Sequence, residues 1–152
     1  MPSWIGPAFQ ILVQQLLDWF SVQDANNLGT QVYYTLTKVK FNIKTHCQYL
    51  AFQAPPIMHS VICTTKPNCV HAWSEAWFDG PMRMLMHPDC PQSGIKVLEA
   101  LANAAGRIKG LCDPCHSRSV VAIRESGALT EERNIIEGAI QKLEQDYHYY
   151  TS

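Results

Sequence analysis

The chain has 152 residues, of which 47% are hydrophobic and 16% are charged, and its formal net charge is −1 at pH 7. This length suits one small domain or one domain with a helical extension, and the apolar content excludes a disordered chain. A net charge near zero argues against DNA or an acidic membrane as a partner held by the charge of the whole surface.

The N-terminal residues are apolar, but they have the pattern of neither a secretory signal nor a membrane span. No basic residue precedes the apolar run, and Gln10, Gln14, Gln15 and Asp18 interrupt it. A spanning helix needs roughly 20 largely apolar residues. We therefore expect a cytoplasmic or nuclear protein, in which the six cysteines are thiols or metal ligands rather than disulfides.

The first part of the chain, residues 1–56, is predicted to be helical. Apolar residues recur at helical spacing in residues 7–20, and Pro7 suits the first turn of a helix. Residues 21–29 are polar and are interpreted as a loop.

Residues 30–53 fit two descriptions. Apolar and aromatic residues alternate at the start of this segment, as they do in a strand, but two apolar runs in it also follow helical spacing. We favour two short helices joined near Asn42, and helix or strand stays open for residues 30–41. Pro55 and Pro56 then end the first part.

The second part, residues 57–152, is predicted to contain four helices. The first is expected at residues 69–85, with a disturbance at Gly80 and Pro81. The second begins after Ser93 and ends near Gly106 or Gly110. The third covers residues 113–127, and the last begins after Thr130. The third of the four is expected to run through Val120 and Ile123, and the last to have Ile136, Ile140 and Leu143 on its inner face. The two parts together are expected to form one compact unit, a small, mainly α domain with a cysteine-rich, zinc-stabilised C-terminal half.

Two pairs of cysteines predict the zinc site. Cys63 and Cys69 are separated by five residues, and Cys112 and Cys115 by two. Structural zinc takes four soft ligands in a tetrahedron, and two local pairs that the fold brings together can supply them. We therefore predict that one structural Zn²⁺ is bound by Cys63, Cys69, Cys112 and Cys115.

Neighbouring residues leave the ligand set open in one respect. The side chains close enough in sequence to replace one of the four thiolates are those of His71, His87, Cys90 and His116. Cys47 lies on an apolar helical stripe and is interpreted as a buried thiol. A redox function for the pair at 112–115 would need a strand before it in a βαβ unit, and residues 95–110 are predicted to be helical.

No catalytic centre is evident among the other residues. The chain has no His-Glu-x-x-His, no Gly-x-Ser-x-Gly and no phosphate-binding glycine loop. His71 and Glu75 are spaced to meet on one helical face and are interpreted as a surface pair. Trp73 and Trp77, one turn apart, are interpreted as core or interface anchors.

Nucleic-acid binding is an alternative with limited support. Three lysines lie close to aromatic residues, a mixture typical of nucleic-acid-binding faces; these residues are Lys38, Lys40, Lys44, Tyr33, Tyr34 and Phe41. Three lysines are few, and residues 67–152, which hold the second cysteine pair, carry eight basic and eleven acidic residues.

Several short motifs resemble the cysteine-containing C-terminal region of BTB/POZ-type proteins of mushroom-forming fungi. The motifs are Trp73-Ser-Glu-Ala-Trp77, His87-Pro88, Pro91-Gln-Ser-Gly94 and Gly110-Leu-Cys112-Asp-Pro-Cys115. The resemblance covers about residues 60–145, and the residues before them are similar to the helical segment that follows a BTB core. A complete core does not fit before residue 57, so the dimerisation and ligase-adaptor roles of BTB domains do not carry over. The resemblance implies a helical, zinc-containing interaction module.

The sequence therefore predicts a non-enzymatic protein-interaction module with a structural zinc ion. Its expected partner is another protein or a second copy of the chain, with nucleic acid and membrane not expected. The alternative is a zinc-dependent nucleic-acid-binding protein or a metal-dependent hydrolase.

Overall fold

The structure, a computed structural model, describes residues 5–14, 20–88 and 91–151, and within these ranges the chain is helical with no strand. The helices are α1 (Ile5–Gln14), α2 (Val22–Leu28), α3 (Thr30–Phe52), α4 (Lys66–Asp79), α5 (Pro81–Leu85), α6 (Gly94–Asn103), α7 (Asp113–Ser126) and α8 (Glu131–Thr151). The predicted mainly α fold is confirmed. No helix among the described residues is long and apolar enough to cross a membrane.

The N-terminal helices differ from their predicted outlines. Helix α1 ends its described part at Gln14, and residues 15–19 of the predicted helix 7–20 lie outside the described residues. The loop predicted for residues 21–29 is wrong, because α2 occupies most of it. Ser21 and Asp24 form a capping box, in which each side chain accepts a hydrogen bond from the backbone N–H of the other.

Helix α3 is a single continuous helix. Residues 30–41, for which helix or strand stays open from the sequence, are helical, and the break predicted near Asn42 is wrong. The two apolar runs that suggested separate helices lie in the same phase, because Val39 and Ile43 are four residues apart. No glycine or proline interrupts the helix between Thr30 and Phe52, so nothing in its backbone favours a break there.

The chain divides into two compact units, one formed by the described residues of Met1–Thr45 and Glu132–Ser152 and the other by His46–Glu131. The predicted division lay instead between residues 56 and 57. In the first unit, a buried cluster joins α1, α3 and α8 and consists of Phe9, Leu36, Val39 and Leu143. The predicted inner face of α8 is confirmed, because Ile136 and Ile140 pack against this cluster.

The unit His46–Glu131 has its own core, which we call the central core. Its buried members include Trp73, Trp77, Leu85, Val97, Leu101 and Ile123. The predicted disturbance at Gly80 is the boundary between α4 and α5, and both tryptophans are core residues. The predicted end of α6 is wrong, since the helix stops at Asn103. Ile95, whose helical spacing from Leu98 and Leu101 predicts a place on the inner face of this helix, is instead exposed.

Candidate metal centre

The first cysteine pair is placed by a turn and by the start of α4. A backbone hydrogen bond from Cys63 N–H to the Ser60 carbonyl closes the turn that ends at Cys63. Thr65 is the N-cap residue of α4, and Pro67 lies in the first turn, where its missing N–H costs no helical hydrogen bond. Cys69 follows in that turn, with its N–H bonded to the Thr65 carbonyl.

The second pair is placed by the start of α7. Cys112 is the N-cap residue, with the extended conformation (φ −77°, ψ 143°) usual at that position. Pro114 lies in the first turn of the helix, and Cys115 follows it. Since an N-cap residue and the third helical residue lie on the same side of a helix start, this spacing directs both sulfurs to one point.

The fold brings the four predicted cysteines together. The Sγ atoms of Cys63, Cys69, Cys112 and Cys115 all lie within 4.8 Å of one another, and those of Cys63 and Cys69 are 3.7 Å apart. Zn–S bonds of about 2.3 Å in a tetrahedron give S···S edges of about 3.8 Å. Cys69 and Cys115 are buried, whereas Cys63 and Cys112 are partly exposed. The four thiols can therefore hold one metal ion at the edge of the central core.

The backbone around the four sulfurs favours negative charge. Helices α4 and α7 both have their N-termini at the four cysteines. The backbone N–H groups and the helix dipole at such an end stabilise thiolates. The backbone N–H of Ser60 donates to Cys115 Sγ at 3.2 Å. Four thiolates and one Zn²⁺ would carry a net charge of about −2, which these N–H groups would partly offset.

The pKa values of two of the thiols move in opposite directions. Desolvation opposes ionisation of Cys63, but hydrogen bonds from the Thr65 backbone and from the three neighbouring thiols lower its pKa to about 7. The backbone N–H of Cys115 favours the Cys112 thiolate, but the Cys115 thiol, desolvation and the other two thiols raise the pKa of Cys112 to about 12. Sulfurs this close do not all ionise unless a cation compensates their charge.

None of the described histidines belongs to the group of four ligands. His71 is exposed and pairs with Glu75 at 3.2 Å, as the sequence predicted. His116 is buried, and its Nε2 lies 2.9 Å from the carbonyl oxygen of Leu101. His87 is exposed, and Cys90 lies outside the described residues. Within the described chain, the four cysteines are therefore the candidate ligands.

His59 is a neighbour of the site that the sequence reasoning missed. Its Nδ1 lies 3.7 Å from Cys115 Sγ, so a proton on this nitrogen would point at the sulfur. The spacing of His59 from the two cysteine pairs is not one typical of zinc ligands. Only its position four residues before Cys63 could have indicated that it lies near the site. It lies beside the four sulfurs and is not one of the ligands.

The segment before Cys63 is attached to α7 at two points. The backbone N–H of Met58 donates to the Ser119 hydroxyl at 2.8 Å, and that of Ser60 donates to the Cys115 sulfur. Ser119 is completely buried, and its hydrogen bond satisfies a polar group that burial would otherwise penalise. Residues 58–60 are therefore held against α7 next to the metal centre.

No family model, curated protein or solved structure matches the chain. The resemblance to the C-terminal region of BTB/POZ-type proteins therefore stays a prediction.

Proposed function

We propose that this chain is a non-enzymatic protein-interaction module whose unit His46–Glu131 is stabilised by one structural zinc ion. The observation that carries the proposal is the group of four cysteine sulfurs within 4.8 Å of one another. Two of the ligands are buried, and two helices of the central core begin at them. A metal bound there would add its binding free energy to the stability of the unit.

A structural ion is favoured over a catalytic one by the number and kind of the ligands. Four thiolates complete a tetrahedron, whereas catalytic zinc sites have three protein ligands and keep one position for water. The pair of His71 and Glu75 is exposed at the surface, whereas acid–base catalysts lie in concave sites that bind the substrate. These features support a role in stability and argue against the hydrolase alternative.

The nucleic-acid alternative loses one of its basic residues. Lys40 is partly buried, and its ammonium donates to the Val13 carbonyl at 2.6 Å. Burial lowers the pKa of Lys40. Of the three lysines that suggested a basic face, Lys38 and Lys44 are exposed, and two charges give a weak electrostatic footprint.

An interaction role is supported by apolar side chains exposed beside the metal centre. Val61 and Ile62, in the turn that leads to Cys63, are 91% and 71% exposed. Val70, which follows Cys69, is 48% exposed. Apolar side chains grouped at one place on a surface are typical of contacts with another protein. Thiolate ligands suit a reducing compartment, and we place the protein in the cytoplasm or nucleus.

Metal analysis of the purified protein tests the proposal. We expect about one zinc per chain, and Cys115→Ser should abolish metal binding and unfold the unit, because structural zinc contributes on the order of 10 kcal/mol in zinc-finger peptides. Cys47→Ser is the matched control, since Cys47 packs against the central core but is not one of the four ligands. This variant should keep its zinc and its fold. Purified protein that contains iron in place of zinc, or no metal and a fold insensitive to chelators, would refute the proposal.

A further inference from the structure

The outer face of α7 forms a shallow depression of about 350 Å³ next to the segment that precedes Cys63. Six residues line it: Met58, Ser117, Arg118, Val121, Ala122 and Glu125. Met58 and Val121 are 42% and 46% exposed, so the depression has an apolar middle that is open to solvent. We call this surface the α7 face.

The α7 face has one charge of each sign at its two ends. Arg118 and Glu125 both line it and are seven residues apart, roughly 10.5 Å along the helix axis. Among the described residues, neither side chain forms an ion pair or hydrogen bond. Both charges are therefore available to a partner.

Four of the six residues that line the α7 face are arranged symmetrically about the point between Val121 and Ala122. They are Arg118, Val121, Ala122 and Glu125. A two-fold axis through that point, perpendicular to α7, would place Arg118 of one copy against Glu125 of the other, and Val121 against Ala122. Each of these contacts occurs twice, as an isologous interface requires. A parallel arrangement would instead place Arg118 against Arg118. We propose that the α7 face binds the α7 face of a second copy of the chain, with the two helices antiparallel.

This inference rests on the proposed function, because the metal holds the two sides of the face together. Met58 lies on the segment that is bonded to Ser119 and Cys115, and α7 begins at the metal centre. The contact is small, since α7 has only 14 residues, and interfaces below about 1,200 Å² are typical of transient complexes. We therefore expect a weak, reversible dimer.

Charge exchange tests the antiparallel arrangement. Sedimentation equilibrium from roughly 10 μM to 1 mM should show the zinc-loaded chain dimerising. Arg118→Glu and Glu125→Arg each replace two attractive contacts by two repulsive ones and should each weaken the dimer roughly thirtyfold at low salt. The double variant exchanges the acidic and basic ends of the α7 face, so each end again faces an opposite charge. It should dimerise like the original chain.

A mixture of the two single variants supplies the deciding measurement. The R118E chain has an acidic side chain at both ends of its α7 face, and the E125R chain has a basic side chain at both ends. In an antiparallel pair of these two chains, each acidic end faces a basic end. The mixture should therefore dimerise like the original chain, although each variant alone dimerises much more weakly.

Three results would overturn the proposal: a mixture that stays monomeric, a double variant that does not recover, or a wild-type chain that is monomeric at about 1 mM. Zinc content is measured on the same samples and should be unchanged in all variants, because neither Arg118 nor Glu125 is one of the four ligands. The dimer can therefore fail while the metal site is upheld.

Discussion

Replacing Trp77 by alanine tests how much the unit His46–Glu131 depends on its packed core. Trp77 is 1% exposed and lies in the central core. A buried aromatic side chain removes roughly 150–250 Å² from water, which at about 25 cal/mol per Å² corresponds to about 4–6 kcal/mol. Measured losses for such truncations are about 3–5 kcal/mol. We expect Trp77→Ala to lower the free energy of unfolding by about 3–5 kcal/mol, a large part of the stability of a small domain.

Trp77 also has a polar contact that a second substitution isolates. Its indole N–H is shared between the carbonyl oxygens of Leu50 and Ala51, each at 3.3 Å. Both carbonyls belong to the last turn of α3, and that of Leu50 also accepts a hydrogen bond from the backbone N–H of Gln53 at 3.3 Å. Trp77→Phe retains most of the apolar area and loses the donor, so it should cost about 1–2 kcal/mol.

Urea unfolding followed by far-UV circular dichroism, with zinc in constant excess, measures these differences. Phe78→Ala is the control on the same helix, because Phe78 is 37% exposed and its truncation should cost about 1 kcal/mol or less. If Trp77→Ala and Phe78→Ala unfolded at the same urea concentration with unchanged slope, the central core would not carry the stability assigned to it here.

A substitution with its control, and a deletion, test the packing in the two units. Gly94→Ala should lower the free energy of unfolding by about 3 kcal/mol or more in the same assay, because a Cβ there would overlap the backbone carbonyl of Leu129. Gly138→Ala is the control, since a Cβ at that position meets no atom within 4 Å. It should be neutral or stabilise the chain by up to about 1 kcal/mol. Equal effects would contradict the close approach at Gly94. Deleting residues 1–22 removes Phe9, 2% exposed, from its cluster and should lower solubility or change the mass in solution; a soluble, equally stable chain of unchanged oligomeric state would show that α1 is dispensable.

The four candidate ligands were predictable because they form two pairs, and the two cysteines of each pair are close in sequence. Each cysteine pair lies at a helix start marked by a proline, Pro67 or Pro114, and zinc chemistry then supplies the reason to join two pairs. The tertiary neighbours of the site have no such signal. His59 reaches Cys115 across 56 residues of sequence, and its contact exists only because the segment before Cys63 is bonded to α7.

The errors in the first unit have a different origin. The polarity of residues 21–29 favours a loop, but Ser21 and Asp24 have the spacing of a capping box, which marks a helix start. For α3, alternation and helical spacing competed within one segment, and only packing decides between them. Leu36 and Val39 are both buried against Phe9, a contact with α1 that the sequence of α3 alone could not supply.

The ligands and the core share the same stripes on their helices. Along α4, Cys69 is followed at intervals of four residues by Trp73 and Trp77, all buried. Along α7, Cys115 occupies the same stripe as Ile123, two intervals of four residues further on. A metal held by Cys69 and Cys115 therefore fixes the positions from which both core stripes begin, and its loss should loosen the packing of residues that never contact it.

The opposite side of α7 then becomes available for binding. An α-helix turns about 100° per residue, so Arg118, Val121 and Glu125 lie away from the stripe that contains Cys115 and Ile123. With the proposed metal bound, one side of α7 would be ordered by the metal and the core, and the other would present a fixed set of charges and apolar atoms at little further entropic cost. The proposed zinc ion would then affect function without taking part in a reaction. If the α7 face is ordered only when the metal is bound, it can bind a second copy of the chain only in that state.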